Sequence, residues 1–322
     1  MKSLLLLLGF VGGSVLAAPT VTDVVAKQRY PWNGLVDITC KVEGMTDDSA
    51  TYKFFVDAVF EDFSTTQRVK NIWAIRNGIR SDDLFISNNG DYHLLWDAKA
   101  DLGEVRYTNM VVRVTVDNKI QLWKSGPYWA TTNIGAEKPE DYGYYFWWGD
   151  TVGYKRENNK WVASDGSNSN FSFTSDNTST YNKSVSTLQS EGWITSGGVL
   201  SPEHDAAQRH WGGDWRMPTK QEFDDLDSKC DWIWTTLNGI KGYIVRGRGD
   251  YALNSIFLPC AGSGDGTSLG NVGSYGFCRS SVPDSDNRYY AWYLLFSSSS
   301  YKTYSHGRNY GQPVRPLQGF TK

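Results

Sequence analysis

Apolar and polar side chains alternate strictly in two segments of the first third of the chain. In Leu35–Glu43, every second residue is apolar and the residues between are charged or carry hydroxyl groups. The same two-residue period recurs in Met110–Asp117. Because successive side chains of a strand point to opposite faces, both segments are predicted to be β-strands with one buried and one solvated face.

Two further strands are predicted at residues 52–59 and 92–96, with the turn-forming run Asn88-Asn89-Gly90-Asp91 between them. Short strands at this spacing are typical of an antiparallel sandwich, so residues 18–121 are predicted to form an immunoglobulin-like β-sandwich. This stretch has one cysteine, Cys40, and lacks the cysteine pair of antibody domains, so the analogy concerns architecture only. We expect the sandwich to act as a spacer or stalk.

The pattern changes near residue 122, where tryptophans become frequent within loops rich in Gly, Ser and Asn. Residues 164–186 are almost wholly polar and are predicted to form a surface insertion. Short strand-like runs separated by glycine return after Tyr243. These runs lie at residues 242–245, 255–258, 291–296 and 313–317.

Two helices are predicted in this second part of the chain. The first begins at Ser201, a capping residue that Pro202 follows at the first helical position, and runs towards His210. The second begins at Thr219, which forms a capping box with Glu222. Helices among short strands predict an α+β domain over residues 122–322.

The first 17 residues have the pattern of a signal peptide. Lys2 supplies the positive charge, an apolar run follows, and Val15 and Ala17 place small residues before a cut at Ala18. The apolar run is too short to span a membrane, and nothing later in the sequence is long enough. We therefore expect a secreted or cell-surface protein that has no membrane span.

Charge and composition narrow the class of partner. The formal net charge of the chain is −3 and no block of basic residues occurs, so a nucleic-acid partner has no electrostatic support. Aromatic residues make up 15% of the chain. Large rings suit binding surfaces because they bring contact area at little entropic cost. A protein or a surface glycan is therefore the expected ligand.

The run WGGDWRMPTKQEF at residues 211–223 is a recognisable signature, and within it Arg216 is predicted to pair with a carboxylate such as Glu222 or Asp225. Four more motifs accompany it in order, YWATTNI at 128–134, YFWWGD at 145–150, SIFLP at 255–259 and VRP at 314–316. With them the chain resembles the "Fibrobacter succinogenes major paralogous domain", a bacterial family in the formylglycine-generating-enzyme branch of the C-type lectin fold. The resemblance implies a C-type-lectin-like domain over residues 122–322.

Tyrosine, serine, asparagine and glycine dominate residues 270–316. This composition is typical of paratopes, in which rigid rings provide area and small polar residues provide adaptable hydrogen bonds. We therefore predict a ligand-binding face here. Its candidate residues are Tyr275, Phe277, Arg288, Tyr289, Tyr290, Trp292, Tyr293, Tyr301, Lys302, Tyr304, His306, Asn309 and Tyr310.

The same stretch resembles the variable region of proteins that retroelements diversify, which lies at the C-terminus of the C-type lectin fold. That resemblance implies variable tyrosines among fixed scaffold positions, the latter at Ala291, Leu294, Phe296, Val314, Arg315 and Pro316. Cys278-Arg279 departs from it, because related sequences carry an aromatic pair at this point. The alternative is a fixed Tyr/Ser/Gly-rich loop, which is common in lectin-fold domains.

Oxidation chemistry of the formylglycine-generating type is one alternative function, and it requires a close pair of reactive cysteines that bind copper. Here Cys260 and Cys278 lie far apart in sequence, and a bridge between them or buried free thiols are both open. No H-E-x-x-H or G-x-S-x-G motif occurs. We therefore expect a protein that is not an enzyme and holds no cofactor.

A carbohydrate-binding, lectin-like adhesin is the other alternative. The common calcium-dependent sugar motifs of C-type lectins are missing, and Gln312-Pro313-Val314 is only superficially similar to them. Asp284 and Asp286 flank a turn that could take calcium, although two nearby aspartates are more often an ordinary polar loop. Sugar binding would then depend on exposed Trp and Tyr rings.

Overall fold

The computed structural model describes residues 19–31, 33–45, 52–60, 66–82, 84–86, 88–104 and 110–319. The predicted signal peptide and its cleavage point lie outside these residues. The fold is predominantly β, with several antiparallel sheets and a few short helices. Within the described ranges, no helix has the length and apolar character needed to cross a membrane.

Ten strands and one short helix precede residue 122 in the described part of the chain. They are β1 (Thr20–Gln28), β2 (Leu35–Glu43), β3 (Tyr52–Phe60), β4 (Thr66–Arg68), β5 (Ile72–Arg76), β6 (Ile79–Ser81), β7 (Phe85–Ile86), β8 (Gly90–Asp97), α1 (Ala98–Leu102), β9 (Met110–Asp117) and β10 (Lys119–Gln121). One sheet has the strand order β1-β2-β8-β5-β6, and a second pairs β3 with β4, β7 and β9. The four strands predicted in this region are confirmed.

The alternating residues of β2 and β9 pack into one hydrophobic core. Val36, Ile38, Cys40 and Val42 are buried, as the two-residue period predicts, and Val116 of β9 joins the same cluster. All buried members of this cluster lie between residues 36 and 116. The region therefore has a hydrophobic core built from its own strands.

The rest of the described chain contains thirteen strands, three α-helices and a 3₁₀ turn. They are β11 (Tyr128–Ala130), β12 (Tyr154–Glu157), β13 (Lys160–Ala163), α2 (Val185–Ser190), α3 (Ala206–Trp211), β14 (Trp215–Arg216), α4 (Lys220–Lys229), β15 (Asp231–Leu237), β16 (Ile240–Arg246), the 3₁₀ turn Gly249–Tyr251, β17 (Ser255–Pro259), β18 (Ser263–Asp265), β19 (Ser268–Gly270), β20 (Tyr275–Pro283), β21 (Tyr290–Ser297), β22 (Ser300–Gly307) and β23 (Leu317–Gln318). The sheets are β10-β11-β23-β14, β12-β13, β15-β16-β17, β18-β19 and β20-β21-β22.

The predicted start of the first helix is wrong. Helix α3 begins at Ala206, and Asp205 caps it by accepting hydrogen bonds from the backbone N–H groups of Ala207 and Gln208. The other carboxylate oxygen of Asp205 accepts from the Met217 N–H at 2.8 Å. Asp205 therefore caps the helix and ties it to Met217, the residue after β14, which the Ser201-Pro202 pair cannot do from four residues upstream.

The second helix starts as predicted. Thr219 caps α4, and the Glu222 side chain accepts from the Thr219 backbone N–H, which completes the capping box. Arg216 donates to Glu222 Oε2 at 2.8 Å and to Oε1 at 2.5 Å, so the predicted ion pair forms with Glu222. Phe223 and Leu226 are buried on the inner face of the helix.

The polar tract at residues 164–186 is not a surface insertion throughout. Phe171 and Phe173 are buried, and their rings pack against each other and around Trp161 and Tyr154. The Thr180 hydroxyl, also buried, donates to the Trp148 carbonyl at 2.7 Å. Two phenylalanines thus anchor a segment that is otherwise made of small polar residues.

The expected strands at 242–245, 255–258 and 291–296 correspond to β16, β17 and β21. The one predicted at 313–317 is wrong, because only Leu317–Gln318 forms a strand. Residues 313–316 are buried irregular backbone. Arg315 fixes this segment by donating to Asn133 Oδ1, to the Phe257 carbonyl and to two carbonyls near β11.

The four cysteines are all free and buried. The conceivable bridge between Cys260 and Cys278 is therefore not formed, and the alternative of buried thiols is confirmed. Both side chains belong to the large core cluster that also holds Phe223 and Leu294.

Candidate binding site

The three-stranded sheet β20-β21-β22 carries most of the predicted binding face. Antiparallel register pairs Tyr293 with Tyr304, Leu295 with Lys302, and Phe277 with Leu295. Residues paired in this way point to the same side of a sheet. One face of the sheet therefore presents these side chains together.

A cavity of about 370 Å³ opens over this face. That volume lies within the range of about 300–1,000 Å³ that is usual for small-ligand sites. Five of the candidate residues line it, together with four residues that were not among the candidates. The lining residues are Ser263, Asn271, Tyr275, Phe277, Tyr293, Leu295, His306, Tyr310 and Gln312.

Ring contacts hold the cavity walls. Phe277 and Tyr293 stack with their centroids 5.8 Å apart. The His306 ring meets the Tyr310 ring edge-on at 4.4 Å and stacks on Tyr290 at 5.7 Å. Mutual packing fixes the rotamers of these side chains, so the walls are ordered before any ligand arrives.

Two candidates point away from the cavity, to the opposite face of the sheet. Tyr301 stacks on Trp232 with the centroids 4.4 Å apart and the planes 5° from parallel, against the large core cluster. Trp292 lies under the ammonium group of Lys220, 4.8 Å from it, beside α4. The two-residue period of β21 and β22 directs these two rings to the side of the sheet opposite the cavity, so they are not part of the cavity face.

The remaining candidates lie outside the cavity lining. Lys302 and Tyr304 are exposed on the cavity side of β22, where they pair with Leu295 and Tyr293 respectively. The guanidinium of Arg288 lies over the Tyr289 ring, which contacts Tyr181. The last two are Tyr290, whose ring stacks on that of His306, and Asn309, which is half-buried.

Among the residues that sequence reasoning missed, Leu295 could have been found from the two-residue period that contains Tyr293. Ser263 and Asn271 come from β18 and from the turn after β19, and no local pattern connects them with β21. Gln312 reaches the cavity because its backbone pairs with Phe146, 166 positions away in sequence. A contact of that range leaves no signal in a single sequence.

A buried cation, Arg279, lies behind the cavity wall and is not one of the lining residues. It is the register partner of Tyr293, and its Nη2 donates to the Tyr310 carbonyl, with the Gly307 carbonyl 3.5 Å away. Burial lowers the pKa of Arg279 to about 9, so its guanidinium remains charged at neutral pH. Burial, reinforced by the charge of Arg279, also lowers the pKa of His306, while Asp265 acts in the opposite direction.

The acidic turn considered for calcium is occupied by backbone contacts. Asp284 Oδ1 accepts the N–H of Asp286 at 2.9 Å and that of Asn287 at 3.3 Å. Across the part of the chain that the structure describes, no three His, Cys, Asp or Glu side chains come together as a metal-binding group.

The thiols lie in surroundings that disfavour the thiolate. Burial raises the pKa of Cys40 and Cys260 to about 11 and that of Cys230 and Cys278 to about 12. Thiolate is the form that binds metals and acts as a nucleophile. All four thiols therefore have the properties of structural core residues.

No protein-family model, curated protein or solved structure matches the chain.

Proposed function

We propose that the chain is an exported ligand-binding protein that recognises a protein or a surface glycan through the cavity over β20-β21-β22. The observation that carries this proposal is the convergence of five candidate side chains on one cavity. They are Tyr275, Phe277, Tyr293, His306 and Tyr310. The leader-like pattern of the first 17 residues supports export, and the stretch up to residue 121 is proposed as the stalk of a C-type-lectin-like head.

Recognition would use preordered rings and a few polar groups. Tyr275 is 42% exposed and supplies contact area at the rim, while Tyr293 is almost buried and forms part of the wall. Burying an exposed ring against a ligand contributes binding energy at low entropic cost, because a tyrosine has only two side-chain torsions to fix. Tyr275 and Tyr310 are therefore expected to be the main contacts.

The proposal includes retroelement diversification of this face. Its support is the separation of scaffold from contact positions. Ala291, Leu294, Phe296, Val314 and Arg315 are fully buried, whereas Tyr304, His306 and Tyr310 remain accessible near the cavity. Comparing the gene in many isolates tests it, since substitutions confined to the accessible codons support diversification and invariant codons contradict it.

The copper-oxidase alternative has less support than binding. It requires reactive thiolates, and burial holds the pKa of Cys260 and of Cys278 far above neutral pH. A cavity lined by rings, hydroxyls and amides has the composition of a recognition site.

A matched pair of tyrosine substitutions tests the binding proposal. Tyr275 at the cavity rim and Tyr128 on a distant strand are equally exposed, at 42%. Wild type, Tyr275→Ala/Tyr310→Ala and Tyr128→Ala would be screened on glycan arrays and on panels of immobilised cell-surface proteins. We expect the wild-type hits to vanish in the cavity variant and to survive in Tyr128→Ala. Hits that survive in both variants would place the binding site elsewhere.

A further inference from the structure

Gln312 brings an unsatisfied hydrogen-bond acceptor to the cavity. Its side chain is 1% exposed and lines the cavity, and its backbone is fixed on both sides by hydrogen bonds with Phe146. Its Oε1 atom has no partner among the described residues. A buried acceptor without a donor costs free energy, so this atom favours a ligand that carries a hydroxyl or an N–H group.

Arg279 is a buried cation whose hydrogen-bond donors are only partly satisfied. Three arginines are fully buried in this half of the chain, and they differ in how the protein satisfies them. Arg315 donates to four oxygen atoms. Arg308 donates to three carbonyls through Nε and Nη1 and lies over the Trp148 ring, and only its Nη2 atom has no partner among the described residues. Arg279 donates only through Nη2, and its Nε and Nη1 atoms have no partner within the described ranges.

No carboxylate compensates the charge of Arg279 among the described residues. The titratable neighbours that act on it are Tyr293 and Arg308, and none of the nine residues that line the cavity is acidic. The nearest acidic influence on the cavity is Asp265, which acts on His306 and Tyr310 from an exposed position. A charge in solvent is screened strongly, whereas the buried guanidinium is not. The cavity therefore has a net preference for an anion.

The walls indicate what carries the anion. Tyr275, Phe277 and Tyr310 supply aromatic surface, and Ser263, Asn271 and Gln312 supply hydroxyl and amide groups. Rings that alternate with small polar groups suit a flat polyol, whose C–H face packs on the aromatic rings while its hydroxyls form hydrogen bonds. The lining residues include no arginine or lysine, so the one guanidinium behind the wall, that of Arg279, balances a single negative charge, which favours a carboxylate over a phosphate dianion.

We propose that the cavity binds a sugar ring that carries a carboxylate, as in uronic and sialic acids. A ring hydroxyl donates to Gln312 Oε1, and the carboxylate lies on the side of Tyr293 and His306, where the field of Arg279 is strongest. Arg279 acts through this field as a positioning residue and does not touch the ligand. The proposal rests on the cavity being the ligand-binding site.

Matched acidic and neutral sugars test it. Wild-type protein would be titrated calorimetrically at low salt with methyl glucuronide and methyl glucoside, with methyl galacturonide and methyl galactoside, and with methyl N-acetylneuraminide. We expect at least one acid to bind, and a uronide that binds to do so roughly tenfold or more tightly than its neutral partner, because the buried and weakly screened charge of Arg279 attracts the carboxylate across the cavity wall. Failure of all three acids, or equal affinity for acid and neutral partner, would overturn the proposal.

Gln312→Glu supplies the matched variant. It keeps the size of the side chain and places a negative charge where the acceptor was, so it should abolish the preference for the acid. Gln318→Glu makes the same chemical change beside Lys119 and away from the cavity, and should leave the preference intact. Near-ultraviolet circular dichroism would establish that both variants are folded. Retained preference in a folded Gln312→Glu protein would contradict the role of this site.

The two proposals fail in different ways. If protein or glycan hits depend on Tyr275 and Tyr310 while no acidic sugar binds, the cavity is a binding site and the acidic-sugar proposal is wrong. If the array and panel hits do not depend on Tyr275 and Tyr310, both proposals are wrong.

Discussion

Tyr301 and Tyr304 lie three residues apart on β22, and the sheet separates them. The Tyr301 ring stacks on Trp232 against the core, whereas Tyr304 is 43% exposed on the cavity side. Composition alone treats the two tyrosines as equal members of a binding face. Their positions in the sheet give them different roles, since Tyr301 packs against the core and Tyr304 is exposed to solvent.

Substitution of the two tyrosines should therefore have different consequences. Tyr301→Ala removes a partly buried ring and its stacking contact with Trp232, and should lower the free energy of unfolding by about 2 kcal/mol. Tyr304→Ala should change stability by less than about 0.5 kcal/mol, as exposed positions usually do. Urea denaturation of both variants measures this. Equal destabilisation would show that Tyr301 does not contribute to the core.

The Arg216–Glu222 pair should be important for the stability of the second half of the chain. Glu222 is buried, completes the capping box of α4 and receives two hydrogen bonds from Arg216. Glu222→Ala leaves a mostly buried guanidinium without its carboxylate and should cost about 3 kcal/mol. Lys155→Met, which breaks an exposed pair with Glu157, serves as the control and should cost much less. Similar urea midpoints for both variants would contradict this prediction.

Local patterns predicted the parts of the structure that local physics determines. The two-residue period identified β2, and Thr219 with Glu222 identified the start of α4, because each signal lies within a few residues. The tract at 164–186 was misjudged since two phenylalanines, Phe171 and Phe173, outweigh many polar neighbours once a pocket in the core exists for them. Composition predicted a binding face without assigning rings to sides of the sheet.

The four thiols should be protected in the native state. Cys40, Cys230, Cys260 and Cys278 are buried and free, and burial raises the pKa of each. Titration with Ellman's reagent at about pH 8 should detect little free thiol in the folded protein, since reactivity follows the exposed thiolate. In guanidinium without reductant, all four thiols of the chain should react. Detection of only two under those conditions would reveal a disulfide.

Gly276 should tolerate no side chain. It pairs with Phe296 across β20 and β21, and a Cβ atom at Gly276 would come within 2.0 Å of the Phe296 ring. Gly276→Ala must displace this fully buried ring and should cost about 1–3 kcal/mol, the usual range for overpacking. Gly270→Ala is the control, because a Cβ there meets nothing within 4 Å. Thermal unfolding compares them, and equal melting temperatures would show that Phe296 moves aside freely.

His306 should make the cavity sheet sensitive to acid. Burial, with Arg279 acting in the same direction, lowers the pKa of the imidazole below its usual 6.5, and Asp265 opposes this only in part. The rings of Tyr290, Tyr293 and Tyr310 also surround the imidazole.

The direction in which pH changes the stability depends on whether the folded or the unfolded state binds the proton of His306 at the higher pH. Below about pH 6.5 the unfolded chain protonates His306 while the folded protein resists, so the unfolded state binds more protons and stability falls with falling pH. The contribution of His306 is thus complete above 6.5 and is lost as pH falls towards the folded pKa. Asp150, whose pKa burial raises to about 7, has the opposite dependence, so the pH profile of the wild type alone is ambiguous.

Comparison with His306→Gln isolates the histidine, because Asp150 titrates in both proteins and cancels. The free energy of unfolding of wild type minus that of the variant should decrease between about pH 7.5 and about pH 5.5. Nuclear magnetic resonance titration of the His306 ring protons should independently give a midpoint below 6.5, and Arg279→Met, where it folds, should raise that midpoint. A difference that stays constant, with a midpoint at or above 6.5, would show that neither burial nor Arg279 acts on this ring.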